Sequence, residues 1–188
     1  LDVAINGRGF FEVLLPDGSV VTSKARGRFR NEHLVPMVGD LVQISFPETG
    51  FASIEELEER KNALQRPPVS NIDQLVIVVS GGVPAPDWLL IDKLLLQAHS
   101  LRIEPLLLLN KIDAADETIV SSFLADYSLF RTMLVSSRTG EGLKALTESL
   151  RGRVSCFAGQ SAVGKSSLLN ALFPQLSLET GELTRKTD

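Results

Sequence analysis

The sequence contains little cysteine, histidine, tryptophan or tyrosine, and the shortage of cysteine excludes two classes of protein. Among 188 residues there are one cysteine, two histidines, one tryptophan and one tyrosine. A single cysteine, Cys156, cannot form an intramolecular disulfide, and it excludes a cysteine-rich zinc module within these residues. The chain needs no disulfide at this length. The composition fits a reducing compartment and predicts a cytoplasmic protein.

Long apolar runs and an excess of positive charge are also lacking. The longest aliphatic runs, 75–79 and 106–109, are far shorter than the roughly 20 residues of a membrane-spanning helix. They have the length of buried strands, and we expect no membrane association. With 44% apolar residues, 22% charged residues and a formal net charge of -4, the chain has a globular composition. This acidity argues against a surface coated with positive charge, although a local basic patch remains compatible with it.

Residues 1–62 have the pattern of short strands separated by turns. Turn sequences such as Asn6-Gly7 and Pro16-Asp17-Gly18 lie between apolar stretches. Apolar and polar residues alternate over 41–46, which predicts a strand with one buried face. Four or five such strands predict a small β-barrel or sandwich, and the five-stranded oligonucleotide-binding (OB) fold is one match in size.

The pattern changes after a proline-containing segment. Residues 63–70 include Arg66-Pro67-Pro68 and are predicted to form a linker, because paired prolines cannot continue a helix or a central strand. Over residues 71–188, apolar strands alternate with amphipathic helices, which is typical of a parallel sheet with helices on both faces. The predicted fold class is α/β, with a small N-terminal barrel.

The strongest motif is a complete phosphate-binding loop. An apolar strand leads into it and an amphipathic helix leads out, as this loop requires. Its glycines let backbone N–H groups and the helix N-terminus face phosphate oxygens. Lys165 is predicted to reach the β and γ phosphates, and Ser166 to ligate Mg²⁺. The predicted phosphate-site residues are Gly159, Gln160, Ser161, Ala162, Val163, Gly164, Lys165, Ser166 and Ser167.

A second motif follows the predicted strand at 105–109. It comprises Asn110, Lys111, Ile112 and Asp113. Guanine offers two adjacent donors, N1–H and the 2-amino group, and the Asp113 carboxylate can accept both, whereas adenine offers an acceptor at N1. Asn110 is predicted to brace the loop and bond the base edge, and the Lys111 stem to cover the ring. Considered alone, the motif could equally be a surface turn that caps the next helix.

A third polar turn, Ser136-Ser137-Arg138, follows the strand predicted at 131–135. In guanine-nucleotide proteins a Ser-Ala-Lys-like turn occupies this place, and one of its backbone N–H groups bonds guanine O6. Ser137 holds the middle position. By itself the segment could be an ordinary turn that caps the helix predicted at 141–150.

The order of the three motifs is unusual. In ordinary GTPases the phosphate loop comes first, whereas here the elements at 110 and 137 precede the loop at 159. This order resembles the circularly permuted GTPases, and the N-terminal barrel makes the chain similar to the ribosome small-subunit-dependent GTPase A family (RsgA, also called YjeQ). The resemblance implies GTP, GDP and Mg²⁺ as ligands, the small (30S) ribosomal subunit and its rRNA as partners, and a monomer.

One departure from that family concerns the end of the sequence. The family continues into a Thr-rich switch, a second switch and a C-terminal zinc domain, so the resemblance implies that the residue positioning the attacking water lies outside these residues. The resemblance also implies a zinc ion in that C-terminal domain, with no zinc ligands in this sequence. In the usual sheet order the phosphate-loop strand would also be left at an edge, which natural proteins avoid. We therefore expect a truncated GTPase domain.

A basic segment lies within the predicted barrel. In an extended strand, alternate residues share a face, so four positive side chains would form one ribbon suited to RNA phosphates. These residues are Lys24, Arg26, Arg28 and Arg30. The alternative is a solvated outer strand face. The acidic residues at 55–59 are expected to form a solvated stretch.

The preferred hypothesis is a GTPase that acts late in maturation of the small ribosomal subunit and is stimulated by it. Water would attack the γ phosphate in line, with Lys165 and the loop amides stabilising charge and no covalent intermediate. An alternative is an RNA-binding module whose nucleotide site is a non-catalytic conformational sensor. A third possibility, an ATP-using enzyme, is disfavoured by Asp113.

Overall fold

The computed structural model describes residues 2–6, 10–26, 29, 35–176 and 178. The chain divides into two compact units, Leu1–Ile72 and Asp73–Asp188. Within the described residues no helix is long and apolar enough to cross a membrane. The same residues contain no cluster of histidine, cysteine and acidic side chains able to hold a metal ion.

The N-terminal unit contains a five-stranded sheet in the order β1-β2-β3-β5-β4. Strands β3 and β5 are parallel, and the other neighbours are antiparallel. Its core contains Phe11, Val13, Phe29, Val42 and Ile54. The small OB-type β-fold expected from the sequence is therefore present. The strands are β1 (Asp2–Asn6), β2 (Phe10–Leu14), β3 (Val20–Ala25), β4 (Val42–Ser45) and β5 (Ala52–Leu57).

The prediction of one extended strand through Arg30 was wrong. Strand β3 ends at Ala25, and Phe29 N–H donates to the Arg26 carbonyl at 3.2 Å, a hydrogen bond that an extended strand does not make. Phe29 is buried in the core of this unit. The alternation predicted to bury Phe46 also fails, because β4 ends at Ser45 after a bulge and Phe46 is 66% exposed.

The linker predicted at 63–70 is instead a β-hairpin. Its strands, β6 (Ala63–Gln65) and β7 (Pro68–Ser70), pair antiparallel around a turn that contains a cis Arg66–Pro67 bond. The prolines lie in the turn and at the first residue of β7, where a missing N–H is tolerated. Val69 bridges Val38, so the hairpin belongs to the N-terminal unit.

The C-terminal unit has a four-stranded parallel sheet in the order β10-β9-β8-β11. Strands β8 and β9 are buried along almost their whole length, as their apolar sequences predict. The alternation of strands and helices expected from the sequence is present. The strands are β8 (Gln74–Ser80), β9 (Glu104–Asn110), β10 (Thr132–Leu134) and β11 (Ser155–Ala158). The helices are α1 (Trp88–Ser100), α2 (Glu117–Asp126), α3 (Leu143–Leu150) and α4 (Lys165–Leu172).

The start of each of the first two helices is fixed by an aspartate. Asp87 accepts from Leu90 N–H at 3.0 Å, and Asp116 accepts from Thr118 N–H at 2.8 Å. Such caps satisfy backbone donors that lack a partner in the first turn. They also end the loops after β8 and β9 at defined points. Because parallel strands have their carboxyl ends at one edge, the loops after the four strands of this sheet lie at that edge.

Candidate nucleotide-binding site

The phosphate loop begins directly after β11 and ends where α4 begins. Two of its glycines are required by space as well as by conformation. Gly159 has φ +140°, and a Cβ there would lie 2.3 Å from the Val78 carbonyl oxygen. Gly164 has φ +96°, and a Cβ there would lie 2.4 Å from Asn110 Nδ2. The loop therefore packs closely against the ends of β8 and β9, which only glycine permits.

Lys165, the motif lysine, spans the loop that it follows. Its Nζ donates to the carbonyl oxygens of Gly159 at 2.9 Å and Gln160 at 2.7 Å. Burial of the ammonium lowers the pKa of Lys165 from its ordinary value. The positive charge of Lys165 is therefore held against the carbonyl oxygens at the start of the loop.

The next residue, Ser166, lies in the first turn of α4 and is half-buried. Its hydroxyl makes no side-chain hydrogen bond within the described part of the chain, and a hydroxyl oxygen is a ligand that Mg²⁺ accepts. The hydroxyl oxygen of Ser166 is therefore suited to the predicted role of this residue as a Mg²⁺ ligand. Ser167 is half-buried on the same helix, Val163 is buried under the loop and Ser161 is exposed. Gln160 directs a buried Oε1 that has no partner among the described residues.

Asn110 connects the phosphate loop to both base-side motifs. It is fully buried at the end of β9. Its Nδ2 donates to the Val163 carbonyl at 3.0 Å, and its Oδ1 accepts from Ser137 N–H at 3.2 Å. The sequence predicted the bracing role of Asn110. It also predicted that an N–H of this turn would bond guanine O6, but the Ser137 N–H is directed at Asn110.

Lys111 connects the phosphate loop to a segment that sequence reasoning missed. Its Nζ donates to the carbonyl oxygens of Ala162 at 2.7 Å and Val83 at 2.6 Å. Burial lowers the pKa of Lys111, while the nearby Asp113 charge opposes the shift. Val83 follows β8, the strand beside β11, so the loop that contains it lies at the same sheet edge as the phosphate loop. This position is the feature from which the contact could have been predicted. Coverage of a base by the Lys111 stem stays a prediction.

Asp113 lies in a 3-10 turn with Ile112, and its carboxylate is held by the third motif. Ser136, which is fully buried, donates its hydroxyl to Oδ1, and the Arg138 guanidinium contacts Oδ2 at 2.6 Å. The Ser136 hydrogen bond, together with Arg138, holds the pKa of Asp113 below its usual range. Asp113 is therefore an ionised acceptor at neutral pH, as recognition of adjacent N–H donors requires.

Of the four residues predicted to bind RNA, the structure describes Lys24 and Arg26, and both are exposed. Lys24 is exposed on β3, and its Nζ lies 4.8 Å from the ring centroid of Phe10 and 5.0 Å from that of Phe51. Arg26 forms an ion pair with Glu55 at 2.7 Å. Glu55 is consequently not part of a merely solvated stretch. Arg28 and Arg30 lie outside the described residues.

Comparisons with known proteins identify the family of the chain. The family model described as RsgA GTPase matches residues 57–188, and the RsgA N-terminal domain model matches residues 5–54. The chain belongs to the RsgA family. The small ribosomal subunit biogenesis GTPase RsgA of Geobacillus thermodenitrificans is 41% identical over 183 residues, covering 94% of this chain and 61% of that protein. The corresponding protein of Caldanaerobacter subterraneus is 37% identical over 180 residues, covering 95% and 61%.

Two solved structures share the fold. YjeQ from Thermotoga maritima superposes with a TM-score of 0.83 at 38% identity, covering 96% of this chain and 66% of that one. YloQ, described as a circularly permuted GTPase, gives 0.74 at 32% identity, covering 93% and 64%. The chain therefore has the circularly permuted arrangement that its motif order indicated. It spans 61% of the length of the two RsgA relatives.

Proposed function

We propose that this chain binds GTP and GDP with Mg²⁺ and contributes the nucleotide site of a GTPase. The observation that supports this most strongly is the position of Asn110, which is bonded at once to the phosphate loop and to the Ser136–Arg138 turn. A phosphate-binding element and a carboxylate suited to guanine are thereby held at one sheet edge. Chance matches to two motifs would not require that shared hydrogen-bonded residue.

The chemistry proposed for the site is in-line attack of water on the γ phosphate. Loop N–H groups and Lys165 would stabilise charge on the phosphate oxygens. Ser166 would hold Mg²⁺, which neutralises phosphate charge when bound. Intrinsic hydrolysis in such proteins can be as slow as about 10⁻⁴ to 10⁻² per second, so a stimulating partner is expected.

Replacing Asp113 with asparagine tests the guanine assignment. Asp113→Asn removes the charge that accepts the guanine N1–H and 2-amino donors, and we expect GDP affinity to fall about ten- to a hundredfold per bond lost. Xanthosine diphosphate has a carbonyl in place of the 2-amino group, so the asparagine amide should bind it better than the wild-type carboxylate does. Isothermal titration with both nucleotides measures the change.

Asp116→Asn is the matched control for that experiment. It makes the same substitution three positions later, where the side chain caps α2 through Thr118 and asparagine caps equally well. Its GDP affinity should equal that of the wild type. Unchanged GDP affinity in Asp113→Asn would show that Asp113 does not recognise guanine.

For the partner, we propose the small ribosomal subunit and its rRNA. The RsgA relatives from Geobacillus and Caldanaerobacter are named for small ribosomal subunit biogenesis. Within this chain, the surface that supports RNA binding is Lys24 with the rings of Phe10 and Phe51 beneath it. Phe51 is 50% exposed, and the two rings contact each other edge to face with their centroids 4.9 Å apart. A cation over exposed rings can bind phosphate while leaving a ring face for an unpaired base.

Reversing one charge tests this surface. Lys24→Glu should weaken binding to isolated small subunits about tenfold at low salt and reduce the slope of log K against log salt by about 0.9, because one phosphate contact is lost. Lys93→Glu is the control, since Lys93 is exposed on α1 in the other unit. Equal binding of Lys24→Glu and wild type would return Lys24 to the solvated-face alternative.

Hydrolysis with and without small subunits separates enzyme from sensor. We expect GTP turnover to rise when subunits are added to the wild type, and to rise less for Lys24→Glu. GTP binding without any stimulated turnover would favour the alternative in which the site is a non-catalytic conformational sensor.

A further inference from the structure

Arg138 occupies the acceptor that guanine is expected to use. Its guanidinium lies 2.6 Å from Asp113 Oδ2, while Ser136 donates to Oδ1. The Arg138 side chain is 75% exposed and the Asp113 side chain only 12%. The arginine therefore reaches from solvent onto a largely covered carboxylate, rather than packing into the protein.

A guanidinium and the edge of guanine present the same kind of donor. Both carry adjacent N–H groups that point the same way from a planar, delocalised system, and both suit a carboxylate. Ser136 donates one hydrogen bond to Oδ1, and Arg138 contacts Oδ2, so guanine must share the carboxylate with both residues. Guanine brings two adjacent donors to this carboxylate, so the Arg138 contact at Oδ2 competes with one of them for that oxygen.

We propose that Arg138 is an internal competitor for guanine at Asp113, and that its displacement is part of nucleotide binding. This inference rests on the proposed function of the site. Displacing Arg138 from Asp113 costs little free energy, because Arg138 is mostly exposed and exposed ion pairs contribute little to stability. Its role is therefore to lower guanine-nucleotide affinity modestly, which favours exchange of one nucleotide for another, without blocking the site.

Removing the competitor should tighten binding. We expect Arg138→Ala and Arg138→Gln to bind GDP about two- to fivefold more tightly than the wild type at low ionic strength, since this is the range of exposed ion pairs expressed as affinity. The advantage should shrink in 0.5 M salt, where the pair is screened in the wild type. Isothermal titration or a fluorescent GDP analogue gives the dissociation constants.

Arg151→Ala is a matched control. Arg151 is 74% exposed and pairs with Glu148 on α3, so it has similar exposure and a similar bond but contacts no nucleotide-site residue in the described part of the chain. Its GDP affinity should not change. If Arg138 instead covered the bound base, Arg138→Ala would bind GDP more weakly, and this result would overturn the proposal, as would an unchanged affinity.

A double-mutant cycle links the effect to Asp113. In an Asp113→Asn background the carboxylate is absent, so adding Arg138→Ala should leave xanthosine diphosphate affinity unchanged. An equal gain in that background would show that Arg138 acts elsewhere and would overturn the proposal. Failure of wild-type protein to bind GDP would instead overturn the proposed function, which separates the two failures.

Discussion

Ala162 shows how the phosphate loop keeps an unfavourable backbone conformation. Its φ of +61° lies in the left-handed region, which costs a residue with a Cβ about 1 to 2 kcal/mol. Residues outside the loop hold its carbonyl oxygens at this point. Lys111 donates to the carbonyl of Ala162, and Asn110 donates to the carbonyl of the next residue, Val163. Two residues of the base-side motif therefore stabilise the shape of the phosphate side.

In the N-terminal unit, the buried carboxylate of Asp40 connects separate segments of the chain. Its side chain is 1% exposed and accepts from Arg60 Nε at 2.7 Å, Ser70 Oγ at 2.6 Å and Met37 N–H at 2.7 Å. Burial opposes ionisation of Asp40, but the hydrogen bonds from Arg60, Ser70 and Met37 outweigh it and lower the pKa of the carboxyl. This single carboxylate thus ties the β6–β7 hairpin to the segment before β4.

Removing that carboxylate should destabilise the N-terminal unit. We expect Asp40→Ala to lower its unfolding free energy by about 3 kcal/mol at pH 7, because Arg60 and the other donors lose their partner. The folded pKa is below the unfolded value of 3.8, so the contribution is full above about pH 5 and is lost as pH falls through the folded pKa. The difference in unfolding free energy between the wild type and Asp40→Ala should therefore become smaller in acid.

Hydrogen exchange at the amides of β4 and β5, followed between pH 7 and pH 3, measures this effect. Glu59→Ala is the control, because Glu59 is exposed and its replacement should change stability by less than about 0.5 kcal/mol. A gap between Asp40→Ala and wild type that stays constant down to pH 3 would show that the ionised carboxylate is not the source of the stability.

At the scale of elements, local signals identified most of the helices and strands but not all of their ends. The aspartate caps of α1 and α2 and the apolar runs of β8 and β9 are legible in the sequence, because each depends on neighbouring residues alone. The hairpin at 63–70 depends on contacts with Val38 and Asp40, more than 20 residues away, and local chemistry suggested only a linker there.

The site shows the same division between local and distant causes. The phosphate loop and the Asn110–Asp113 motif were predictable because backbone geometry and base chemistry restrict the residue types at fixed spacing. The contacts of Lys111 with Val83 and of Asp113 with Arg138 join separate loops, 28 and 25 positions apart. Such pairs arise from the order of the parallel strands, which brings the loops to one edge.

At the scale of the whole molecule, the described residues of the candidate nucleotide site all belong to the C-terminal unit, Asp73–Asp188. They come from the loops after its four strands, and the bonds of Asn110 and Lys111 make those loops one assembly. A ligand that binds only the folded form stabilises the cooperative unit that contains its site. Nucleotide binding should therefore act first on this unit.

GDP with Mg²⁺ at about 100 times its dissociation constant should stabilise the C-terminal unit by about 2.7 kcal/mol. Amides of β8 and β9 that exchange through unfolding of this unit should then slow by about a hundredfold, while those of β2, β3 and β5 in the N-terminal unit keep their rates. Hydrogen exchange read by mass spectrometry resolves the two sets, and ADP at the same concentration should protect neither. Equal slowing of both sets by GDP would mean that the two units unfold as one, because ligand stabilisation is shared only within a single cooperative transition.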